Sequence, residues 1–127
     1  MNPAIDRIQV PLDSASFKND IMPVLRVTCG SSGACHGVVG NSSPQLGLNL
    51  QNDSAAYASL VNVPSSNFPN MMRVRPGLPD SSFMYRVLIP NPTYRLGYYR
   101  MPLTQLPLPF ETTETIRNWI LKGALNN

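Results

Sequence analysis

Apolar positions recur along this chain in short helical bursts separated by proline-rich stretches. Phe17, Ile21, Val24 and Leu25 fall at i, i+4, i+7 and i+8, the spacing of one helix face. They predict a helix from Ser16 to about Thr28, with Asp20 as its cap and Pro23 in a first turn, where a missing N–H costs little. Leu46, Leu48 and Leu50 alternate through a loop and are expected to point inward. Ser54 is placed to cap a short helix, Ala55 to Val61, that ends before Pro64. Asp80 is placed to cap another with the apolar face Phe83, Met84, Val87 and Leu88, closed by Pro90 and Pro92. The last pattern is the clearest. Ile116, Trp119, Ile120 and Gly123 fall at i, i+3, i+4 and i+7, after Pro109 and Glu111, which suit a first turn. No strand pattern is convincing and no repeat is visible. The expected fold is all-α: two terminal helices, two or three short ones, and long loops.

Length sets one domain, with residues 1–15 as an extended lead-in and 16–127 as the folded unit. The 13 prolines explain the short helices, since each removes a backbone donor and resists a helix interior. A fold of short helices buries little area per residue and gains from a rigid apolar group at its centre. Charged residues are only 13%, about half the roughly 25% of ordinary soluble domains, and the net charge of +3 is spread along the chain. Nucleic acid is therefore not an expected partner. No apolar run approaches the ~20 residues of a membrane span. Met1 leads into a polar stretch without the basic and apolar regions of a signal peptide, so if the protein is exported the chain is expected to be a fragment excised from a longer one.

The chain has two cysteines and one histidine, and they stand together as Cys29-Gly-Ser-Ser-Gly-Ala-Cys35-His36-Gly37. A cysteine followed directly by histidine is the core of the C-x-x-C-H attachment motif of c-type haem. Cysteine thiols add to the haem vinyl groups as thioethers, and the adjacent histidine then reaches the iron. Here five residues separate the cysteines instead of two. Gly30 and Gly33 allow the intervening loop to bulge, so attachment is expected either through both Cys29 and Cys35 or through Cys35 alone. A structural disulfide between them would leave His36 unexplained. A zinc site would normally require a fourth ligand.

An electron carrier needs a second axial ligand. Met101 precedes Pro102 in a loop between the motif and the final helix, where proline helps hold a weak sulfur ligand; Met71, Met72 and Met84 are its rivals as core filler. Arg73, Arg75 and Arg100 are candidates to bind haem propionates, Arg73 or Arg100 foremost, through bidentate recognition of a carboxylate. The seven carboxylates are dispersed, and no nucleophile–histidine pair stands outside the motif, so no catalytic residue is assigned and the chain is not expected to be an enzyme.

In this order the motifs resemble a bacterial group of class I-type monohaem cytochrome c domains, the planctomycete-like group. The likeness runs from about residue 16 to 125. It is carried by Phe17…Asp20-Ile21-x-Pro23-Val24-Leu25, the Cys-His-Gly core, Gly47-Leu48-x-Leu50, and Tyr57-Ala58-x-Leu60-Val61-Asn62-Val63-Pro64-Ser65. It continues through Arg73-Val74-x-Pro76-Gly77-x-Pro79-Asp80-x-Ser82-x-x-Tyr85, Arg100-Met101-Pro102 and Ile116-Arg117-x-Trp119-Ile120-x-x-Gly123-Ala124. The resemblance implies a class I cytochrome c architecture with crossed terminal helices around one haem. It also implies that Met101 is the distal ligand opposite His36, and that Trp119 packs at the terminal-helix interface near the haem. The longer cysteine spacing and the Tyr98-Tyr99 pair depart from the pattern.

These observations lead to an electron-transfer protein with one covalently bound haem c and His36/Met101 ligation of its iron. It is expected in the periplasm or outside the cell, with redox proteins as donor and acceptor. Two alternatives stand beside it: a haem domain of a larger or polymeric cytochrome assembly, formed by self-association or within a parent multidomain chain, and a ligand-binding or sensor domain with an open distal side.

Overall fold

The computed structural model describes residues 15–29, 36, 48–66, 68–89, 101 and 108–127. Its described part is helical. A wide turn over Phe17–Ile21 runs into α1, Met22–Thr28; α2 is Asp53–Leu60, α3 is Phe83–Leu88 and α4 is Phe110–Leu121. A 3₁₀ turn, Pro79–Ser81, leads into α3. Extended pairing among the described residues is limited to isolated bridges joining Val61 to Val74, Pro64 to Met72 and Met72 to Ser82. The all-α expectation is met to that extent. The lead-in falls almost wholly outside the described residues. Among them no helix is long and apolar enough to cross a membrane.

The helix starts differ from the predicted ones in an instructive way. Ser16, not Asp20, is the first cap: its hydroxyl accepts from the Asn19 N–H at 3.1 Å, and the Asp20 carboxylate reaches back to the Ser16 N–H at 2.8 Å. Between them the backbone is underwound, with one residue more per hydrogen-bonded turn than the α-helix. The N–H groups of Ile21 and Met22 bond five positions back, to Ser16 and Phe17. The regular ladder begins only at Met22, with Pro23 in its first turn as expected. Asn52, not Ser54, caps α2, its side chain accepting from the Ala55 N–H at 2.9 Å. Asp80 belongs to the 3₁₀ turn, and Ser82 stands at the cap position of α3. The Ser82 hydroxyl bonds the Leu78 carbonyl and the Arg75 N–H, so this fully buried polar group is satisfied.

One core joins all these elements. Phe17, Ile21 and Leu25 meet Ala56 and Leu60 of α2, Met84 and Leu88 of α3, and Ile116, Trp119 and Ile120 of α4. At its centre the Trp119 ring lies 5.0 Å from Phe17, which in turn meets Tyr57 edge-on at 5.4 Å. The first helical segment and the last therefore pack directly on each other. Of the three alternating leucines, Leu50 is buried and Leu48 half-buried, while Leu46 lies outside the described residues. Gly123 is not on the α4 face. It follows the helix with φ +114°, a conformation that suits glycine, and brings Ala124 back so that its N–H bonds the Trp119 carbonyl.

The two ends of the fold are also tied by hydrogen bonds. The Asn127 carbonyl accepts from the Ser16 hydroxyl at 2.6 Å and the Lys18 N–H at 3.1 Å, and its side-chain oxygen accepts from the Phe17 N–H at 2.9 Å. The Phe17 and Lys18 N–H groups are donors that a first helical turn leaves without partners. Replacing Ser16 with alanine removes its cap and one tie at once, and is expected to cost about 1 kcal/mol. Urea denaturation monitored by circular dichroism checks this; an unchanged midpoint would show that the cap contributes nothing.

Candidate functional site

Cys29 is the last residue of the α1 ladder, its N–H bonding the Leu25 carbonyl at 2.9 Å. The helix thus delivers Cys29 as the periodicity predicted, half-buried and packed against the core. His36 returns to it: the His36 N–H donates to the Cys29 carbonyl at 3.0 Å.

The segment 48–50 then holds His36 by main chain and side chain together. Its carbonyl accepts from the Leu50 N–H at 2.6 Å, and its ring Nδ1 lies 3.1 Å from the Leu48 carbonyl oxygen. A carbonyl can only accept, so Nδ1 is the protonated nitrogen in this contact. In the neutral ring Nε2 then carries the lone pair, which is the form that ligates a metal, and the same contact fixes the ring's orientation. Leu50 is buried in the core and Leu48 packs against it, so the anchor is rigid. The segment is further set by the Asn49 side chain, which accepts from the Gln51 N–H at 3.0 Å just before the Asn52 cap.

Met101 packs against the same core. Its N–H donates to the Val87 carbonyl at 2.8 Å, which pins the backbone at Met101 to the end of α3. Trp119 is fully buried at the terminal-helix contact, with its indole N–H donating to the Leu125 carbonyl at 2.8 Å. Arg73 is half-buried, and two of its donors engage the Ser59 carbonyl at 2.8 Å and the Ser66 hydroxyl at 3.0 Å. Burial holds its pKa below the ordinary arginine value. The Ser59 carbonyl lies in the last turn of α2, where a cation also meets the negative end of the helix dipole. Arg73 thus has a structural role that its sequence context did not announce. Cys35 and Arg100, the remaining predicted site residues, lie outside the described residues, as do Tyr98 and Tyr99.

The structure therefore brings Cys29 and His36 into main-chain contact and seats Cys29 and Met101 on one core. Among the described residues no three His, Cys, Asp or Glu side chains converge as a metal cluster, and His36 is the one histidine of the sequence. The Leu48 carbonyl was invisible to sequence reasoning, because every residue carries that group and only the fold selects which one the imidazole meets. Set against family models, curated proteins and solved structures, the chain matches none, so the functional reading rests on its own residues.

Proposed function

We propose that this chain is an electron carrier of the class I cytochrome c type, holding one c-type haem through its Cys35-His36 pair, with Met101 as the second axial ligand. The observation that carries the reading is the orientation of the single histidine. Its Nδ1 is committed to the Leu48 carbonyl, which leaves Nε2 for iron, directly after a cysteine in the attachment motif. When bound, the haem would supply a one-electron couple, and His/Met ligation would set it at a comparatively high potential.

The chain's own residues do the rest. Leu48 and Leu50 keep the imidazole from turning, the α3 terminus holds the backbone of Met101, and the core around Phe17 and Trp119 keeps water from the packed side. Because both ligand-bearing segments are tied to the core, little rearrangement would accompany a change of charge at the iron. That suits outer-sphere transfer to protein partners. Thioether attachment of this kind takes place outside the cytoplasm, so an exported compartment belongs to the same proposal.

The test is expression in a host with cytochrome c maturation machinery, followed by an alkaline pyridine haemochrome spectrum of the denatured protein. A covalent haemochrome is expected; its absence would end the reading. Carbon monoxide separates the carrier from a ligand-binding domain. The reduced native protein is expected to bind none, and Met101→Ala is expected to bind it stoichiometrically. Binding by the unaltered protein would remove Met101 from the iron and favour the sensor alternative.

A further inference from the structure

The inner positions of α4, Thr113, Ile116, Trp119 and Ile120, are buried in the core. Its outer face carries a second pattern. Phe110, Glu114, Arg117 and Leu121 fall at i, i+4, i+7 and i+11, a mean step of about 3.5 residues that aligns them in one narrow seam. Phe110 is 52% exposed and Leu121 36%, so large apolar side chains lie open at both ends of the seam. Glu114 and Arg117 stand half-buried between them. The seam therefore reads apolar, acidic, basic, apolar. Positions 110 and 121 are equally far from the middle of the helix, between Thr115 and Ile116, and so are 114 and 117.

We infer that this seam is a self-association surface, and that what covers it is a second copy of the chain with its α4 laid antiparallel. A two-fold axis at the helix centre sets Phe110 against the partner's Leu121 and Glu114 against the partner's Arg117, and repeats both contacts by symmetry. A parallel pairing would instead set Glu114 on Glu114 and Arg117 on Arg117, so the charges select the antiparallel orientation. That orientation also lays the positive end of each helix beside the negative end of the other. Among the described residues no ion pair engages Arg117. Glu114 also has a contact within its own chain, and its carboxylate can accept through a second oxygen. One helix laid along another over about 18 Å is a small contact beside the about 1,200–2,000 Å² of stable complexes, so the pairing is weak and reversible. It uses none of the haem-site residues and stands apart from the haem reading.

Sedimentation velocity of the full chain tests this between about 10 μM and about 1 mM, the span in which weak contacts dissociate. The parent is expected to shift from monomer towards dimer as concentration rises, and Phe110→Ser to stay monomeric throughout. Glu114→Arg and Arg117→Glu each set like charges opposite one another twice, and each is expected to weaken pairing about tenfold or more. Mixing these two variants restores it, because every reversed side chain then faces one of opposite sign. Both variants keep a net positive charge, since one reversal changes the formal value of +3 by only two, so overall attraction does not explain their pairing. A parent that is monomeric at about 1 mM would overturn the inference. So would association untouched by Phe110→Ser, or a mixture that pairs no better than either variant alone. If a charge variant loses its helical circular dichroism, Phe110→Ser, which removes an exposed ring, decides by itself.

Discussion

Replacing His36 with alanine is expected to bring covalently bound, low-spin haem down to background while the helical content of the chain survives. The contact from Nδ1 to the Leu48 carbonyl orients the imidazole, and under the proposed haem reading Nε2 would be the ligand. Loss of a partner that merely orients a ligating histidine costs about 10–100-fold in metal affinity. Loss of the ligand itself must exceed that. The polypeptide has less at stake, because His36 is half-buried and lies outside the apolar cluster built on Phe17, Leu60 and Trp119. Two readouts separate the effects: haem per protein by haemochrome, and far-ultraviolet circular dichroism for the fold. Any haem that does attach through cysteine should lose its low-spin spectrum and regain it when imidazole is added to the solution. A His36→Ala protein with the parent's spectrum and haem content would remove His36 from the iron.

How much of this was legible beforehand depends on what kind of group does the work. The core was readable, because side-chain identity and spacing carry the information. Phe17, Ile21 and Leu25 lie at successive four-residue steps, Ile116, Trp119 and Ile120 share a face, and all six are buried. The helix starts were readable only approximately. Ser16 and Asp20 are both good capping residues, and local chemistry does not rank them. The five-residue bonds from Ile21 and Met22 let both act, Ser16 as cap and Asp20 as the group that closes on it. At α2, Ser54 is already the second residue of the helix, and it is the Asn52 side chain that reaches the Ala55 N–H. Main-chain partners were not readable at all. The Leu48 and Cys29 carbonyls that hold His36, and the Ser59 carbonyl that holds Arg73, are chosen by the tertiary path of the chain. The cysteine and histidine types announce the chemistry; the backbone that aims them has to be seen.

That same backbone depends on one side chain more than any other. Trp119→Ala is expected to destabilise the protein by about 3–5 kcal/mol, the range for emptying a buried aromatic site. Its ring is fully buried, packs at 5.0 Å on Phe17 from the opposite terminus, and sits in the cluster that also holds Leu60 and Leu88. Against a total stability of about 5–15 kcal/mol, such a loss leaves a marginal fold. Trp119→Phe separates packing from hydrogen bonding. It keeps an aromatic ring against Phe17 but gives up the N–H that meets the Leu125 carbonyl at 2.8 Å. Leu125 is exposed at the surface, so water can take over that carbonyl, and the hydrogen-bond part of the cost is about 1 kcal/mol. Urea denaturation of the purified full chain measures both, as shifts in midpoint at constant slope. A Trp119→Ala loss as small as the hydrogen bond alone would mean that the terminal segments are held by their Asn127 ties, and that the aromatic pair is incidental. A loss several times larger, with only a small part of it in Trp119→Phe, places the closure of the fold in the ring contact itself.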